Sequence, residues 1–266
     1  MLINEENLKR SLLNFKGKAP FDHCIVDDFF RIDVAKDLET EFLPYDDPRW
    51  FCYKNALEDK KALNDWNIFP ALTYKIFNEL TSDHFVKSLS SALDLSLYPD
   101  PGLHGGGWHI HGTGGNLNPH YDYSIHPKIS LQRKLNIIIY VSSKLSEEHG
   151  GHLGLWAKGD NEDSPGELIQ EIAPKFNRAV IFDTTQNAWH GMCNPLVQPA
   201  GIYRKSLAVY YLTDPPRNCD QRQRALFAAR EDQKNSNEVK ELIKIRADSK
   251  NYSSAYRTED PDSVMS

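Results

Sequence analysis

Short stretches of alternating apolar and polar residues fill the chain from residue 104 to residue 213. They lie at about 119–125, 133–142, 152–157, 167–172, 178–183 and 203–212, with turn-forming residues between them. Alternation with a period of two is typical of β-strands, and several short strands in succession are typical of an antiparallel sandwich or barrel. The pattern therefore predicts a core that is mainly β.

Helical patterns flank this core on both sides. On the N-terminal side, an apolar strand or hairpin over residues 23–30 precedes a helix that Asp33 caps and that runs to about Phe42. Two further helices are predicted at about Ala71–Leu80 and at residues 82–93. On the C-terminal side, residues 222–231 and 238–246 are amphipathic, and we expect two short helices there that brace the sheet.

The same patterns suggest how the chain is organised. We expect a helical and mixed support region over residues 1–103, a β-rich core over 104–213, and a helical extension with a polar tail over 214–266. All three are predicted to form one compact domain, since β-rich domains of this length commonly remain single. The glycines at 105–107 do not open a helix after a strand, so they indicate close backbone packing rather than a phosphate-binding loop.

Composition removes several classes of function. Lysine and arginine total 31 against 37 aspartates and glutamates, a net charge of −6, and the basic residues form no stripe. Binding to nucleic acid or to an anionic membrane is therefore disfavoured. The four cysteines form no CxxC pair, and the N-terminus lacks the apolar segment of a secretory signal. We expect a cytoplasmic protein with reduced thiols, and composition does not indicate its oligomeric state.

His120, Asp122 and His190 are the candidate metal ligands. Two imidazoles and one carboxylate form the facial triad of non-haem Fe(II) oxygenases, which leaves metal positions open for a co-substrate and dioxygen. Residues two apart on a strand project from the same face, so His120 and Asp122 can reach one ion, and His190 must arrive from another strand.

Candidates for binding a keto-acid co-substrate lie on two other predicted strands. Arg204 offers a forked cation to a carboxylate, and alternation places Ser206 on the same face. Asn136 and Tyr140 likewise share a face, from which a phenol can donate to the same carboxylate. A metal that binds a keto acid, together with an arginine that holds its far end, indicates a 2-oxoglutarate-dependent oxygenase.

Residues from about 104 to 213 resemble the prolyl-4-hydroxylase-like branch of the Fe(II)/2-oxoglutarate dioxygenases. Segment 22–42 is similar to the helical entry of that family. The resemblance is carried by Leu117-Asn118-Pro119-His120-Tyr121-Asp122, the strand that ends in Tyr140, Gly150-Gly151-His152-Leu153, Pro174-Lys175-Phe176-Asn177-Arg178, Phe182, His190 and Arg204-Lys205-Ser206.

The resemblance implies a fold, a set of cofactors and a reaction. The core would be a double-stranded β-helix, or jelly roll, with His120, Asp122 and His190 as iron ligands. Arg204, assisted by Tyr140, would bind the distal carboxylate of 2-oxoglutarate, and Lys205 would replace it if the strand had the opposite register. Fe(II), 2-oxoglutarate and dioxygen are implied, with ascorbate as a further candidate. The implied reaction hydroxylates a C–H bond of an amino acid, prolyl peptide or small metabolite and releases succinate and CO2.

Two other functions remain open at this point. A zinc-dependent hydrolase could use the same ligands, although the chain has no HExxH helix and Arg204 would be unexplained. A non-catalytic jelly-roll binding protein is the other alternative. Loops 111–118 and 124–132 are candidates for a lid over the site. Five further residues are either substrate contacts or ordinary surface and core residues: Trp108, His109, Arg133, Lys134 and Trp156.

Overall fold

The computed structural model describes residues 2–161, 164–248, 250 and 252–256. Its α-helices are α1 (Glu5–Leu12), α2 (Ile32–Glu41), α3 (Ala71–Leu80), α4 (Asp83–Leu93) and α5 (Asn237–Ala247). Its strands are β1 (His23–Val26), β2 (Phe51–Lys54), β3 (Glu58–Leu63), β4 (Tyr98–Pro99), β5 (Gly107–His111), β6 (Asn116–Leu117), β7 (His120–Tyr121), β8 (Gln132–Tyr140), β9 (Leu153–Lys158), β10 (Pro165–Ile172), β11 (Arg178–Asp183), β12 (Trp189–Met192), β13 (Arg204–Thr213) and β14 (Leu226–Phe227).

The strands form two antiparallel sheets. The larger sheet has the order β1-β11-β8-β13-β5-β3-β2, with β4 paired to β13 and β6 paired to β3. The smaller sheet has the order β10-β9-β12-β7-β14. Tyr140 and Phe182 of the larger sheet pack against Leu153 and Leu155 of the smaller one, so the two sheets face each other. This confirms the expected class, mainly β with flanking helices around a double-stranded β-helix.

Alternation along β8 and β13 decides which side chains reach the space between the sheets. Asn136, Ile138, Arg204 and Ser206 line a cavity there. Their neighbours in the chain project from the opposite face, where they join a core cluster with the helices: Ile137, Ile139, Leu207 and Val209 with Leu38 of α2, Phe77 of α3 and Leu89 of α4. The helices therefore cover the outer face of the larger sheet and leave its inner face for the site.

Most predicted elements are confirmed to within a few residues, and three predictions are wrong. The helix that Asp33 was predicted to cap is α2, which begins at Ile32 after Arg31. Asp33 therefore lies in the first turn of this helix, where it forms an ion pair with Arg31 at 2.7 Å. The strand expected over residues 119–125 is only His120–Tyr121. Residues 222–231 are not a helix, because Leu226–Phe227 pairs with β7 as an edge strand. The polar tail after residue 248 lies largely outside the described residues.

Two N-terminal elements were not predicted. Helix α1 precedes the first predicted strand, and the β2–β3 hairpin extends the larger sheet beyond β5. The hairpin is rich in charged residues and lacks an alternating apolar pattern, and it is held in place by pairing with Trp108 to Ile110 of β5. It forms one wall of the cavity.

The glycines at the start of β5 permit close backbone packing. A Cβ on Gly106 would lie 2.5 Å from the carbonyl oxygen of Ala208. Gly107 has a φ of +91°, and a Cβ there would lie 2.2 Å from the carbonyl oxygen of Leu63. Both positions therefore require glycine, since β5 passes this closely between β13 and β3. Over the described residues, the helices are too short and too polar for any of them to cross a membrane.

Candidate metal centre and active site

The predicted ligands meet at one end of a cavity of about 430 Å³ between the two sheets. His120 lies on β7 and His190 on β12, and the two are directly paired across these strands. Asp122 follows β7 by one residue. Strands β7 and β12 and the residue that follows β7 therefore supply the three side chains, and each of them is buried.

The three side chains are arranged as a set of metal ligands would be. The Nε2 atoms of His120 and His190 each lie 3.8 Å from a different carboxylate oxygen of Asp122. One ligand atom from each residue can be chosen so that all lie within 4.8 Å of one another. A single divalent ion placed between them could contact all three.

Backbone contacts orient both imidazoles toward that point. His120 Nδ1 donates to the carbonyl oxygen of Asn118 at 3.0 Å, and His190 Nδ1 donates to that of Ala188 at 2.8 Å. This fixes the tautomer in which Nε2 carries the lone pair, which is the form that binds metal. Burial lowers the pKa of His190, and burial together with His190 lowers the pKa of His120 to about 3. Both rings are therefore neutral near pH 7.

Asp122 completes the set of ligands with a buried carboxylate that is ionised near pH 7. Burial would raise the pKa of Asp122, but Arg133 and the two histidines lower it to about 2. Its Oδ2 is buried and has no hydrogen-bond partner among the described residues. A buried carboxylate oxygen without a partner is costly, and a cation at this position would satisfy it. The site therefore fits a divalent metal ion.

Arg204 lies in the same cavity on the neighbouring sheet, and it is 6% exposed. Its Nε donates to the carbonyl oxygen of Gly151 at 3.0 Å, and its Nη2 donates to the Tyr140 hydroxyl at 3.2 Å. Over the part of the chain that the structure describes, no carboxylate lies within ion-pair distance of it. Burial lowers the pKa of Arg204, and Tyr140 opposes that effect.

Lys205 projects from the opposite face of β13. Its Nζ donates to the carbonyl oxygen of Glu39 at 3.0 Å, beneath α2. The register of β13 therefore brings Arg204, and not Lys205, to the cavity.

Tyr140 and Ser206 lie beside Arg204, whereas Asn136 lies further along β8, where it is paired with Tyr210 of β13. Ser206 is paired with Tyr140 across β13 and β8, and Ser206 and Asn136 both line the cavity. The Oδ1 atom of Asn136 is buried without a partner among the described residues. Arg204, Tyr140 and Ser206 are thus brought together on the inner face of the larger sheet, and Asn136 lies on the same face further from the arginine.

The sequence left the roles of five residues open. In the structure they lie in the core, form ion pairs or line the cavity. Trp108 is fully buried in the outer core, and Trp156 packs with Trp189. Lys134 forms an ion pair with Asp183. Arg133 is ion-paired with Asp122 at 3.1 Å, and His109 lines the cavity.

The two candidate lid loops differ in position. His111 and Leu117 of the first loop line the cavity, whereas none of residues 124–132 does. Two backbone hydrogen bonds hold the first loop in place. The Gly114 N–H donates to the carbonyl oxygen of Leu196, and the Leu196 N–H donates to that of Gly115.

Several cavity residues were missed from the sequence. Glu58 and Lys60 come from the unpredicted β2–β3 hairpin. Phe227 of β14 stacks on His120 with ring centroids 5.1 Å apart, and Arg246 of α5 and Tyr256 also line the cavity. No local pattern could have found them, because each reaches the cavity only through tertiary packing.

Known proteins provide three comparisons. Residues 106–212 match the family model of the 2OG-Fe(II) oxygenase superfamily. Prolyl 3-hydroxylase OGFOD1 of Xenopus laevis is 28% identical over 92 residues, which are 33% of this chain and 17% of that protein. The chain thus matches only a small part of this curated relative.

The fold is shared with solved structures of low sequence identity. A prolyl-4-hydroxylase from Pseudomonas putida has a TM-score of 0.55 at 13% identity and covers 79% of this chain and 100% of its own. HygX from Streptomyces hygroscopicus, solved with nickel, 2-oxoglutarate and hygromycin B bound, has a TM-score of 0.51 at 12% identity, with coverage of 76% and 86%.

Two histidines and an aspartate gathered in one cavity of a jelly roll form the ligand set that is typical of mononuclear non-haem iron enzymes. Residues 106–212 match the model of the 2OG-Fe(II) oxygenase superfamily, in agreement with the resemblance found in the sequence. Fe(II) and 2-oxoglutarate, after which that superfamily is named, are therefore the metal and co-substrate that the site is expected to bind.

Proposed function

We propose that the protein is an Fe(II)- and 2-oxoglutarate-dependent dioxygenase that hydroxylates a C–H bond of its substrate. His120, Asp122 and His190 bind the iron, and Arg204 binds the distal carboxylate of 2-oxoglutarate. The observation that carries this proposal is the buried guanidinium of Arg204, which has no carboxylate partner among the described residues and shares a cavity with the three ligands. A hydrolase or an inert jelly roll would have no use for such a cation.

The residues around Arg204 account for how the acid is held. Gly151 and Tyr140 fix the guanidinium through its Nε and Nη2 atoms, so that its remaining N–H groups can point toward a carboxylate. The Tyr140 hydroxyl accepts from Arg204 and keeps its own proton for donation to the same carboxylate. Ser206 supplies a second hydroxyl, and Asn136 lines the same cavity further along β8.

The protein's part in the reaction is to bind, orient and exclude water. Bound Fe(II) would supply the chemistry in which dioxygen gives one oxygen atom to 2-oxoglutarate, forming succinate and CO2, and the other to the substrate C–H bond. The backbone carbonyls of Asn118 and Ala188 keep the two imidazoles facing the metal position. Phe227 and Phe182 pack against the rings of His120 and His190, which limits access of bulk water.

Three substrate types are consistent with this proposal. The relatives include a prolyl 3-hydroxylase, a prolyl-4-hydroxylase and a protein solved with hygromycin B bound. We therefore propose that the substrate is an amino acid, a prolyl peptide or a small metabolite. The proposed location of the reaction is the cytoplasm. Ascorbate is a candidate for keeping the iron reduced.

The test compares two adjacent residues of β13. Purified protein is titrated anaerobically with Fe(II) and then with 2-oxoglutarate, and binding is followed through the visible charge-transfer absorption of a keto acid chelated to Fe(II). We expect Arg204→Met to weaken 2-oxoglutarate binding by about 2–3 kcal/mol, or 30- to 150-fold, since a charge-assisted pair is lost. Lys205→Met, on the outer face, should bind 2-oxoglutarate normally.

Admission of oxygen completes the test. Succinate should form in the wild type and in Lys205→Met, and far more slowly in Arg204→Met at the same 2-oxoglutarate concentration. Absence of the absorption in the wild type, or a larger effect of Lys205→Met than of Arg204→Met, would overturn the proposal.

A further inference from the structure

Lys60 is a further, largely buried cation of the cavity, and the proposed reaction does not use it. Lys60 projects from β3 into the cavity with 14% of its side chain exposed. Its Nζ lies 3.7 Å from Glu58 Oε2, which is beyond hydrogen-bond distance. No hydrogen bond of this Nζ is found among the described residues. Burial lowers the pKa of Lys60, and Glu58 opposes that effect.

Glu58 is already engaged by other residues. It is 1% exposed, and its Oε1 accepts from Arg246 Nε at 2.8 Å and from the Tyr256 hydroxyl at 2.5 Å. The local charges are therefore one carboxylate against two cations, Arg246 and Lys60. The remaining acid nearby, Asp122, has its own cation in Arg133. The cluster carries an excess positive charge in a buried place, which favours an anion.

His111 provides a second unsatisfied group beside Lys60. Both of its ring nitrogens are buried and have no partner among the described residues. Arg204 is paired with His111 across β13 and β5, and the register of β3 with β5, continued by one residue from the Lys61 and Ile110 pair, places Lys60 opposite His111. Lys60, His111 and Arg204 thus form one row across three strands on the inner face of the sheet.

We propose that Lys60 and His111 form a second anion-binding subsite, which holds a carboxylate of the substrate that is hydroxylated. The substrate is then a small carboxylic acid, such as a free amino acid, rather than a residue within an uncharged peptide segment. This inference rests on the proposed function above. The acid occupies the part of the cavity between the metal position and the β2–β3 hairpin.

The carboxylate bound by Lys60 is distinct from those of 2-oxoglutarate. One end of 2-oxoglutarate is assigned to Arg204 and the other to the metal ion. Lys60 is two strand spacings from Arg204, about 10 Å along the sheet. His111 stands between the two cations and can donate to one carboxylate while its ring separates the subsites.

The test measures ligand binding to the complex of the protein with Mn(II) and 2-oxoglutarate, which does not turn over. The probes are the proteinogenic L-amino acids and small hydroxy and dicarboxylic acids, each compared with its primary amide by thermal shift and then by calorimetry. We expect at least one acid to bind at least about tenfold more tightly than its amide. Lys60→Met should abolish that preference, and 2-oxoglutarate affinity should change less than about twofold.

Lys61→Met is the matched control. Lys61 neighbours Lys60 on the same strand, but its Nζ donates to the carbonyl oxygen of Tyr45 on the outer side of the sheet. It should keep the wild-type preference for acids over amides. His111→Phe provides a second variant, which should weaken binding of the acid and spare its amide.

The outcomes separate the two proposals. If the wild type fails to bind Mn(II) and 2-oxoglutarate, the proposed function itself is wrong. If that complex forms but every probe acid binds no better than its amide, the second subsite is wrong. If Lys60→Met weakens 2-oxoglutarate more than the probe acids, Lys60 belongs to the co-substrate site, and the inference is overturned.

Discussion

The guanidinium of Arg133 lies 3.1 Å from Asp122 Oδ1 in the interior of the protein. The rings of Tyr123 and Tyr210 lie on either side of it, each with its centroid 3.4 Å from Arg133 Cζ. Arg133 Nη2 also donates to the carbonyl oxygen of His104 at 3.0 Å. The arginine therefore holds Oδ1, the oxygen nearer His120 Nε2, and leaves Oδ2 to face His190.

Arg133→Met should destabilise the metal-free protein. Removing one partner of a buried ion pair leaves Asp122 uncompensated, which costs about 3–5 kcal/mol. Mn(II) should recover much of this loss, because the ion then supplies the missing positive charge. We expect the shift in melting temperature on adding Mn(II) to be larger for Arg133→Met than for the wild type.

The matched control for this prediction is the double variant Arg133→Met, Asp122→Asn. It removes both charges, so its metal-free form should be more stable than Arg133→Met alone, and Mn(II) should no longer stabilise it. Equal stability of the wild type and Arg133→Met without metal would mean that Asp122 has another source of compensation.

Tyr140→Phe should raise the dissociation constant of 2-oxoglutarate about tenfold, which corresponds to loss of a hydrogen bond of about 1.5 kcal/mol. Mn(II) affinity should not change. Tyr211→Phe is the control, because its hydroxyl donates to the carbonyl oxygen of Leu80 on the outer face of β13. If both variants bind 2-oxoglutarate like the wild type, the phenol of Tyr140 has no part in holding it.

Arg246→Met should release α5 from the cavity wall. Arg246 is the nearest cation to Glu58 and is itself buried, so the variant should lose about 3–5 kcal/mol of local stability. Hydrogen exchange of the α5 amides should accelerate accordingly. Lys244→Met, which breaks an exposed pair with Glu241, should change exchange by less than about 1 kcal/mol. Similar rates in the two variants would contradict the role given to Arg246.

Gly107→Ala and Gly114→Ala should differ in stability although both residues have positive φ. Gly114 has open space around its Cβ position, so the substitution should cost only the backbone preference, about 1–2 kcal/mol. The Cβ at position 107 would collide with backbone of β3, and the loss should be larger by several kcal/mol. Chemical denaturation of both variants measures the difference, and equal losses would mean that β3 moves freely.

The central part of the site could be predicted because it depends on the two-residue period of strands. Alternation alone places Arg204 and Ser206 on one face and Lys205 on the other, as the structure does. The same period places Asn136 and Tyr140 on the inner face of β8. The spacing of His120 and Asp122 likewise brings both to one point, although Asp122 lies just beyond the strand.

The remaining walls could not be predicted because their structure depends on distant partners. Residues 222–231 are rich in alanine and arginine, which favour a helix, yet pairing with Tyr121 and His120 makes Leu226–Phe227 a strand. The hairpin that carries Lys60 has no apolar alternation of its own. Its two strands exist because β5 offers an edge with which β3 pairs.

Metal stoichiometry tests the central claim most directly. The metal-free protein is titrated with Mn(II), and free Mn(II) is followed by electron paramagnetic resonance for the wild type, His190→Ala and His84→Ala, whose histidine is exposed on α4. The account predicts one tightly bound Mn(II) per chain in the wild type and in His84→Ala, and none in His190→Ala. Tight binding that survives in His190→Ala, or no binding in the wild type, would contradict it.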